Sequence, residues 1–483
     1  MKSADKFRFT HYESPLVNRY ASEAMLYNFS LEKRYVTWRE IWIALAEAER
    51  ALGLPISRVQ IAQMKRFAYR INYDRARYYE QKFKHEVVAH LHAFGEQCPR
   101  AKPIIHLGAT SALVMDNADL IIIRNGLKLI KQKLVNVIGV LSNFARRYAN
   151  QPTLGFTHFQ PALITTVGKR VTLWLADLLM DLHNIESAET KIKALGAKGA
   201  IGTQASFLTL FNHNARNVQR FDQLFSRKLG FSKSYPVTGQ TYPRKVDYEI
   251  ISILSGIAQS AHKFSNDLRL LQGLGEMEEP FGKEQVGSSA MAYKRNPIGA
   301  ERMASLARFV ITTGTNTALT AAYQWLERTM DDSANRRLVI PETFLATDAL
   351  LNIYLYITSN LKVYQTVIQR HIETELPFLA TEEIIMDGVK RGRLNRQVLH
   401  QRIRDLSMMT VAQIKQGRPN DLWERMVNDP VLGKCAEAVR RRMKITDYTG
   451  LAAQQTTKFL TQSVRPILKK YRSQLGLKSK LSV

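Results

Sequence analysis

The chain has 483 residues, with 69 lysines and arginines against 42 aspartates and glutamates, and its formal net charge is +27. The length allows a large core, yet no run of the roughly 18 uncharged apolar residues that a membrane span needs occurs, and the start, MKSADKFRFTHYESP, lacks the apolar core of a signal peptide. The two cysteines, Cys98 and Cys435, exclude a disulfide framework, so we expect a cytoplasmic protein.

The first segment, residues 1–111, is predicted to be an N-terminal helical domain whose pattern is interrupted by prolines. Within it, His85 and Glu86 resemble the start of the zinc-binding pattern H-E-x-x-H. The second histidine, His90, follows His85 by five residues, which places it about 140° around a helix from the first. The spacing therefore predicts no metal site.

The central segment, residues 112–364, carries long helices in which apolar residues recur alternately three and four positions apart. Each such helix would have one apolar stripe, and it needs neighbours to cover that stripe. The pattern predicts a bundle of long helices and an all-α fold, with a fourth helix over about residues 299–327. The three stripes are Leu120, Ile123, Leu127, Ile130, Leu134, Val137, Leu141 and Phe144; Ile164, Val167, Val171, Trp174, Leu178, Leu182 and Ile185; and Ile250, Leu254, Ile257, Ala261, Phe264, Leu268 and Leu271.

Glycine and proline interrupt the helical pattern between these segments, and convincing strand alternation is absent. Unusual polar residues gather in the interruptions, so we place the chemistry on loops carried by a helical scaffold. The run Gly196 to Gly202 follows a helix and does not match G-x-G-x-x-G, so no dinucleotide site is predicted there. The interruptions span residues 151–161, 196–203, 229–243 and 279–298.

The first interruption contains His158, which follows Thr157, and Pro161 is well placed for the first turn of the next helix. A histidine titrates near neutrality, so it can deliver or remove a proton. Taken alone, the residue is better explained by a hydrogen-bonded structural role.

The interruption before the fourth helix contains the pattern G-S-x-x-M-x-x-K-x-N, which starts at Gly287. From average residue usage, the chance of this pattern in one chain is on the order of 10⁻⁴. Gly287 and Ser288 favour a mobile backbone, Lys294 supplies positive charge, and Asn296 supplies an amide that donates and accepts hydrogen bonds. Such a loop is suited to closing over an anion.

Residues 328–337 are predicted to begin a helix, with Asp332 or Ser333 as the N-cap. Arginines in a first turn oppose the helix dipole unless an anion such as phosphate is bound there. Pairing of these arginines with neighbouring aspartates on the surface is an equally good explanation at this point.

A change of composition near residues 365–395 predicts a C-terminal domain of shorter helices, residues 365–483. The charge of +27 attracts any polyanion, but basic residues are spread along the chain and no zinc finger, RNP-like aromatic motif or basic zipper occurs. A solvated basic surface is favoured over a nucleic-acid site.

Several of these segments together resemble the fumarase/aspartase superfamily, and most closely its animal-type adenylosuccinate lyase family. The resemblance runs nearly end to end. It rests on Ser14-Pro15-Leu16, Arg19-Tyr20-Ala21-Ser22, Ile105-His106-Leu107-Gly108-Ala109-Thr110-Ser111, the His158 segment, Thr238-Gly239-Gln240-Thr241-Tyr242, Met277-Glu278-Glu279-Pro280-Phe281, the Ser288 pattern and Asp331-Asp332-Ser333-Ala334-Asn335-Arg336-Arg337.

This resemblance implies β-elimination of fumarate from adenylosuccinate, giving AMP, and from the succinylated aminoimidazole carboxamide ribotide SAICAR, giving AICAR, in purine nucleotide biosynthesis. It also implies a homotetramer whose active sites are each shared between three subunits, acting on small nucleotides without a metal or organic cofactor. From composition and charge we expect no membrane partner, and a nucleic-acid partner is disfavoured.

The resemblance further implies roles for individual residues. Ser288 would be the base and His158 the acid, while Lys294, Asn296, Thr110 and Ser111 would stabilise the negative charge of the intermediate. Other substrate-binding residues implied are Arg19, Tyr20, Lys84, His85, Glu86, Thr157, Gln240, Arg302, Arg328, Ser333 and Arg337, of which Arg328, Ser333 and Arg337 would bind the phosphate.

Three residues depart from the animal pattern. Lys84 and Glu86 flank His85 where the pattern has arginine and aspartate, and Ala292 replaces a proline in the Ser288 loop. Lysine loses the forked guanidinium, glutamate is one methylene longer, and loss of the proline raises the entropy of an open loop.

Three other interpretations remain open. A lyase for another succinylated amine, such as argininosuccinate, is disfavoured by the arginines on the phosphate side. A helical protein that binds nucleic acid through its charge is the second, and a scaffold of this fold without activity is the third. Intact Ser288, His158, Lys294 and Asn296 favour an active enzyme over the scaffold.

Overall fold

The structure is a computed structural model that describes residues 10–479. The start of the chain, on which the expectation about a signal peptide depends, lies mostly outside these residues. The described part is all-α apart from two short two-stranded antiparallel sheets.

The N-terminal part is built of short and medium helices. Leu16–Tyr20 forms a π-helical turn, and Lys102–Ile104 forms a 3₁₀ turn. Serine and asparagine N-caps start several of the α-helices, for example Ser30 and Ser57, whose side chains accept hydrogen bonds from backbone N–H groups of the first turn. The α-helices are α1 Glu23–Asn28, α2 Leu31–Ala51, α3 Arg58–Phe67, α4 Tyr73–Phe83 and α5 Glu86–Gln97.

The central part confirms the prediction of long helices that pack side by side. Of these, α6 packs against α7, α10 against α11, and α11 against α12, so their apolar stripes share one core. The elements are α6 Ser111–Arg147, β1 Pro152–Thr157, β2 Gln160–Thr166, α7 Val167–Lys191, α8 Ala205–Leu210, α9 Ala215–Lys228, α10 Lys245–Gly273, β3 Met277–Glu278, α11 Ile298–Ala322, α12 Asp332–Ser359 and β4 Lys362–Val363.

Two boundaries in this part differ from the sequence prediction. The segment before α7 is a β-hairpin in which β1 pairs with β2, so the expected loop is wrong and Ile164 lies in a strand. The helix begins at Val167, six residues after Pro161, and Pro161 therefore does not start it. The fourth helix, α11, ends at Ala322 rather than near residue 327, because the chain turns there toward the start of α12.

The last part consists of shorter helices and has a second core of its own. That core is formed by residues between Ala380 and Val439 and is separate from the core of the long helices. The elements are α13 Gln365–Leu379, α14 Thr381–Lys390, α15 Arg396–Ile414, α16 Leu422–Val427, α17 Gly433–Arg442, a 3₁₀ turn Ile445–Thr449, α18 Ala452–Phe459, a π-helical turn Leu460–Val464, α19 Arg465–Lys470 and a 3₁₀ turn Arg472–Gln474.

One helix in the described residues, α12, is long and apolar enough to span a membrane. In this protein 78% of its most apolar window is buried. That burial is typical of a core helix of the bundle.

A buried carboxyl in α2 makes the stability of the fold depend on pH. Glu49 is 0% exposed, neither of its carboxyl oxygens has a hydrogen-bond partner in the described part of the chain, and burial raises its pKa to about 8. Between pH 4.5 and pH 8 the folded protein therefore binds one more proton than the unfolded chain, so the free energy of unfolding decreases as pH rises.

We expect the free energy of unfolding of the wild type to fall by about 2 kcal/mol between pH 6 and pH 8 through the ionisation of Glu49. Glu49→Gln should not show this loss, because the amide cannot ionise. Urea unfolding at the two pH values measures the difference. The matched control is Glu382→Gln on the surface of α14, which should behave as the wild type does. Equal pH dependence of wild type and Glu49→Gln would contradict the prediction.

Candidate active site

A cavity of 770 Å³ lies where α6 and α12 begin. The first turns of both helices contribute to its wall, so backbone N–H groups and the positive ends of two helix dipoles lie beside it. The structure thus brings together many residues from separate predicted segments. Those that line the cavity are His85, Thr110, Ser111, Gln240, Arg328, Ser333 and Arg337.

The cavity is suited to an anionic ligand. Arg328 and Arg337 both line it, and they are joined by Arg34 from α2, which no motif of the sequence indicates. The hydroxyl of Thr110 is buried and has no hydrogen-bond partner among residues 10–479, while the Ser111 hydroxyl lies 3.4 Å from Nε2 of His85. An unsatisfied buried hydroxyl is costly, so a ligand that accepts its hydrogen bond would remove that cost.

The start of α12 differs from the prediction in its cap. The N-cap position is Asp331 rather than Asp332 or Ser333, and no side chain caps the helix. Asp332 is buried and its carboxylate is bound to Arg328 Nη1 at 2.8 Å and to Arg244 Nε at 2.6 Å. The alternative that the aspartates pair with the arginines on the surface therefore holds only in part, because Asp332 does pair with Arg328 but its carboxylate is buried.

In the wall of the cavity, Arg244 connects α6 with α12. It donates two hydrogen bonds to Asp116, at 3.0 and 3.1 Å, in addition to its bond with Asp332. Burial opposes the ionisation of Asp332, but the charges of Arg244 and Arg328 outweigh it and lower the pKa of this carboxyl. The ionised Asp332 thus holds Arg328 in a fixed orientation at the cavity wall.

We expect Asp332→Asn to lower the free energy of unfolding by about 2 kcal/mol, because it removes the acceptor charge from two hydrogen-bonded guanidinium groups. Thermal or urea unfolding measures the change. The matched control is Asp331→Asn, an exposed neighbour, which should cost less than about 1 kcal/mol. Equal destabilisation by the two variants would contradict this role for Asp332.

Glu86 supports Arg337 at the edge of the same cavity. Its carboxylate accepts hydrogen bonds from Arg337 at 2.5 Å and from the hydroxyl of Tyr35 at 3.0 Å, and Arg34 lies 3.8 Å away. Burial raises the pKa of Glu86, but the charges of Arg34 and Arg337 outweigh burial and lower it. Glu86 therefore contacts the arginines, and it does not line the cavity.

Lys84 lies apart from this cluster. It ends α4 in the left-handed conformation, with φ of +53°, and its side chain is exposed. It is not among the residues that line the cavity.

His106, which the sequence indicates only as part of the motif from Ile105 to Ser111, also lines the cavity. Its Nδ1 accepts a hydrogen bond from the indole N–H of Trp42 at 2.9 Å, and burial lowers its pKa to about 4. An indole can only donate, so the proton of the neutral ring is on Nε2. His106 is thus neutral at pH 7 and can donate a hydrogen bond through Nε2. The position of its proton follows from the contact with Trp42.

A second cavity, of 400 Å³, contains another group of the predicted residues. Arg19 and Tyr20 reach it from the π-helical turn, and Arg302 reaches it from the first turns of α11. None of the residues that line it lines the first cavity. The two groups are therefore separate within one chain.

His158 and Thr157 lie at the exposed tip of the β1–β2 hairpin. Thr157 pairs with Gln160, so His158 and Phe159 are the two central residues of the turn, with φ of +53° and +59°. These values match the type I′ turn that favours hairpins, but they cost about 1–2 kcal/mol per residue without glycine. Strain of this kind is typical of functional positions. The imidazole of His158 is exposed and lines neither cavity.

Ser288 lies in the segment between β3 and α11. Its Oγ accepts hydrogen bonds from the backbone N–H groups of Met291, at 3.1 Å, and Ala290, at 3.4 Å. Asn296 donates to the carbonyl of Gly287 at 2.8 Å and so closes the base of the loop. A Cβ at residue 287 would lie 2.1 Å from the Lys294 carbonyl oxygen, so only glycine fits there.

This loop is exposed at Lys294 and half-buried at Ser288. Two N–H donors on the serine oxygen favour its negatively charged form. Neither Ser288 nor His158 lines either of the two cavities. A single chain thus distributes the predicted residues over two cavities, a hairpin and a loop.

Comparison with known proteins relates this arrangement to a set of lyases. The sequence pattern of a family described as Lyase matches residues 69–312. Adenylosuccinate lyase of Saccharomyces cerevisiae is 48% identical over 97% of this chain and 98% of its own, and adenylosuccinate lyase of Schistosoma mansoni is 42% identical over 98% and 99%.

Solved structures show the same fold at lower identity. The crystal structure of fumarate lyase from Mesorhizobium sp. BNC1 has a TM-score of 0.80 and 22% identity, and the alignment covers 94% of this chain and 100% of that one. At this identity the likeness concerns the fold alone.

Proposed function

The chain belongs to the adenylosuccinate lyase family, within the fumarase/aspartase superfamily, and we propose that it cleaves adenylosuccinate to AMP and fumarate. The same elimination on SAICAR gives AICAR and fumarate, so both reactions serve purine nucleotide biosynthesis. The observation that supports this proposal most strongly is the sequence identity of 42–48% with adenylosuccinate lyases over nearly the whole chain.

The first cavity supports a nucleotide substrate. Arg328, Ser333 and Arg337 line it beside the start of α12, which is the arrangement that binds phosphate oxygens. A substrate without phosphate, such as argininosuccinate, has no group that this basic part of the cavity would bind. Gln240, His85 and the neighbouring hydroxyls are proposed to contact the rest of the substrate.

The elimination needs a base that removes a proton from one carbon and an acid that protonates the nitrogen leaving the neighbouring carbon. Ser288, as its alkoxide, removes the proton from the carbon beside a carboxylate of the succinyl group, and a carbanion forms. The C–N bond then breaks, the carbon–carbon double bond of fumarate forms, and His158 donates a proton to the leaving nitrogen. The backbone donors on Ser288 Oγ, together with nearby positive charge, favour its ionisation.

The intermediate carries its extra charge on the carboxylate. Lys294 and Asn296 in the Ser288 loop, and Thr110 and Ser111 at the start of α6, are proposed to donate to that charge. Thr110 suits this role because no described residue accepts or donates a hydrogen bond at its hydroxyl. Loop closure over the substrate would exclude water and so strengthen these interactions.

A homotetramer with sites shared between three subunits accounts for the separation of these residues in one chain. The long helices also leave apolar side chains exposed where another subunit would cover them, at Leu173, Met180, Tyr248, Phe309 and Leu319. We also propose that the chain is divided into three domains, residues 1–111, 112–364 and 365–483. A cytoplasmic location is proposed as well.

Ultraviolet detection of fumarate release, run separately with adenylosuccinate and with argininosuccinate, tests the function. We expect turnover of adenylosuccinate alone, and sedimentation should give the mass of four chains. Turnover of argininosuccinate instead would overturn the substrate assignment. Turnover of neither, with salt-sensitive RNA binding, would favour a nucleic-acid-binding protein.

A further inference from the structure

The C-terminal segment of the described chain, Leu475–Ser479, runs across the bundle and forms part of the wall of the second cavity. Leu477, Lys478 and Ser479 line this cavity together with Arg19, Tyr20 and Arg302, which come from distant parts of the chain. The end of the described chain is therefore placed at a site that the proposed function uses.

Specific contacts hold this segment in place. Asn136, in the middle of α6 and 4% exposed, donates to the Gln474 carbonyl at 2.8 Å and accepts from the Leu477 N–H at 2.9 Å. The Ser479 hydroxyl donates to the Asn352 carbonyl of α12 at 2.7 Å. A buried amide is costly unless it is hydrogen-bonded, so Asn136 and the segment stabilise each other.

The cavity is positively charged. Four cationic side chains line it, those of Arg19, Lys133, Arg302 and Lys478, against one carboxylate, Glu23. Lys133 forms an ion pair with Asp348, which is fully buried. The excess of positive charge favours a ligand with carboxylate or phosphate oxygens.

We propose that Leu475–Ser479 is a wall of the substrate site and that Lys478 binds a carboxylate or phosphate group of the substrate. The inference rests on the proposed function, because Arg19, Tyr20 and Arg302 are its expected substrate residues. It adds a cation from the end of the described chain, which no motif of the sequence indicates.

The test compares steady-state kinetics on adenylosuccinate for the full-length wild type, Lys478→Ala and Lys478→Arg. We expect Lys478→Ala to raise KM about tenfold or more with kcat within about threefold, because ground-state binding of an anion is lost, while arginine keeps KM within about threefold. The matched control is Lys469→Ala, an exposed lysine of α19 outside the cavity, which should leave both constants unchanged.

Ligand-induced shifts in melting temperature separate this inference from the proposed function. Inorganic phosphate and fumarate are titrated into the same variants, so the test does not require turnover. A weaker response of Lys478→Ala to phosphate assigns the contact to the phosphate, and a weaker response to fumarate assigns it to a carboxylate. Wild-type KM in Lys478→Ala, or unchanged responses to both probes, would overturn the inference, whereas a wild type without turnover would overturn only the proposed function.

Discussion

Ser288→Ala should lower kcat for adenylosuccinate by a factor of roughly 10² to 10⁴, because the variant has no group to remove the proton beside the carboxylate. Substrate binding should change little, since Ser288 is proposed to act on one hydrogen and not to hold the charged groups. Fumarate release under saturating substrate measures kcat, and AMP titration measures binding.

Ser289→Ala is the matched control for this variant, because it removes the adjacent exposed hydroxyl of the same loop. Sedimentation of both variants should give the wild-type mass, since neither side chain belongs to a core cluster. A rate for Ser288→Ala within threefold of wild type would end the assignment of Ser288 as the base.

His158→Gln should also lower kcat by a factor of roughly 10² to 10⁴, because glutamine cannot donate a proton to the leaving nitrogen at neutral pH. The amide keeps hydrogen-bonding ability and similar size, and the residue lies exposed at the hairpin tip, so the fold should be retained. The fumarate assay on both adenylosuccinate and SAICAR measures the effect.

His213→Gln provides the control for His158→Gln. His213 is also exposed and also has a left-handed backbone, with φ of +62°, but it lines neither cavity. Its replacement should leave kcat unchanged. Equal kcat for His158→Gln and His213→Gln would contradict the assignment of His158 as the acid.

The long helices were predictable because their signal is local. Apolar residues three and four apart, as from Leu120 to Phe144, need only neighbours on one helix to specify a buried stripe, and that stripe is buried in α6. The Ser288 motif was also visible, since its residues are close in sequence.

The β-hairpin that presents His158 was not predictable. A two-residue turn is normally indicated by asparagine or glycine, and here its central residues are His158 and Phe159. Packing of the flanking strands must therefore hold this turn against its local preference, and such packing is a property of the tertiary structure.

The sequence by itself determined the helical class, the order of the long helices and the residue types available for elimination, because periodicity and short motifs act over a few residues. Only the tertiary structure decided that Glu86 contacts Arg337, 251 positions away, and that Asp332 turns inward to Arg244. It also placed Lys478 and Arg19 in the wall of one cavity. Long-range ion pairs and cavity walls depend on how helices pack, and no local pattern encodes that.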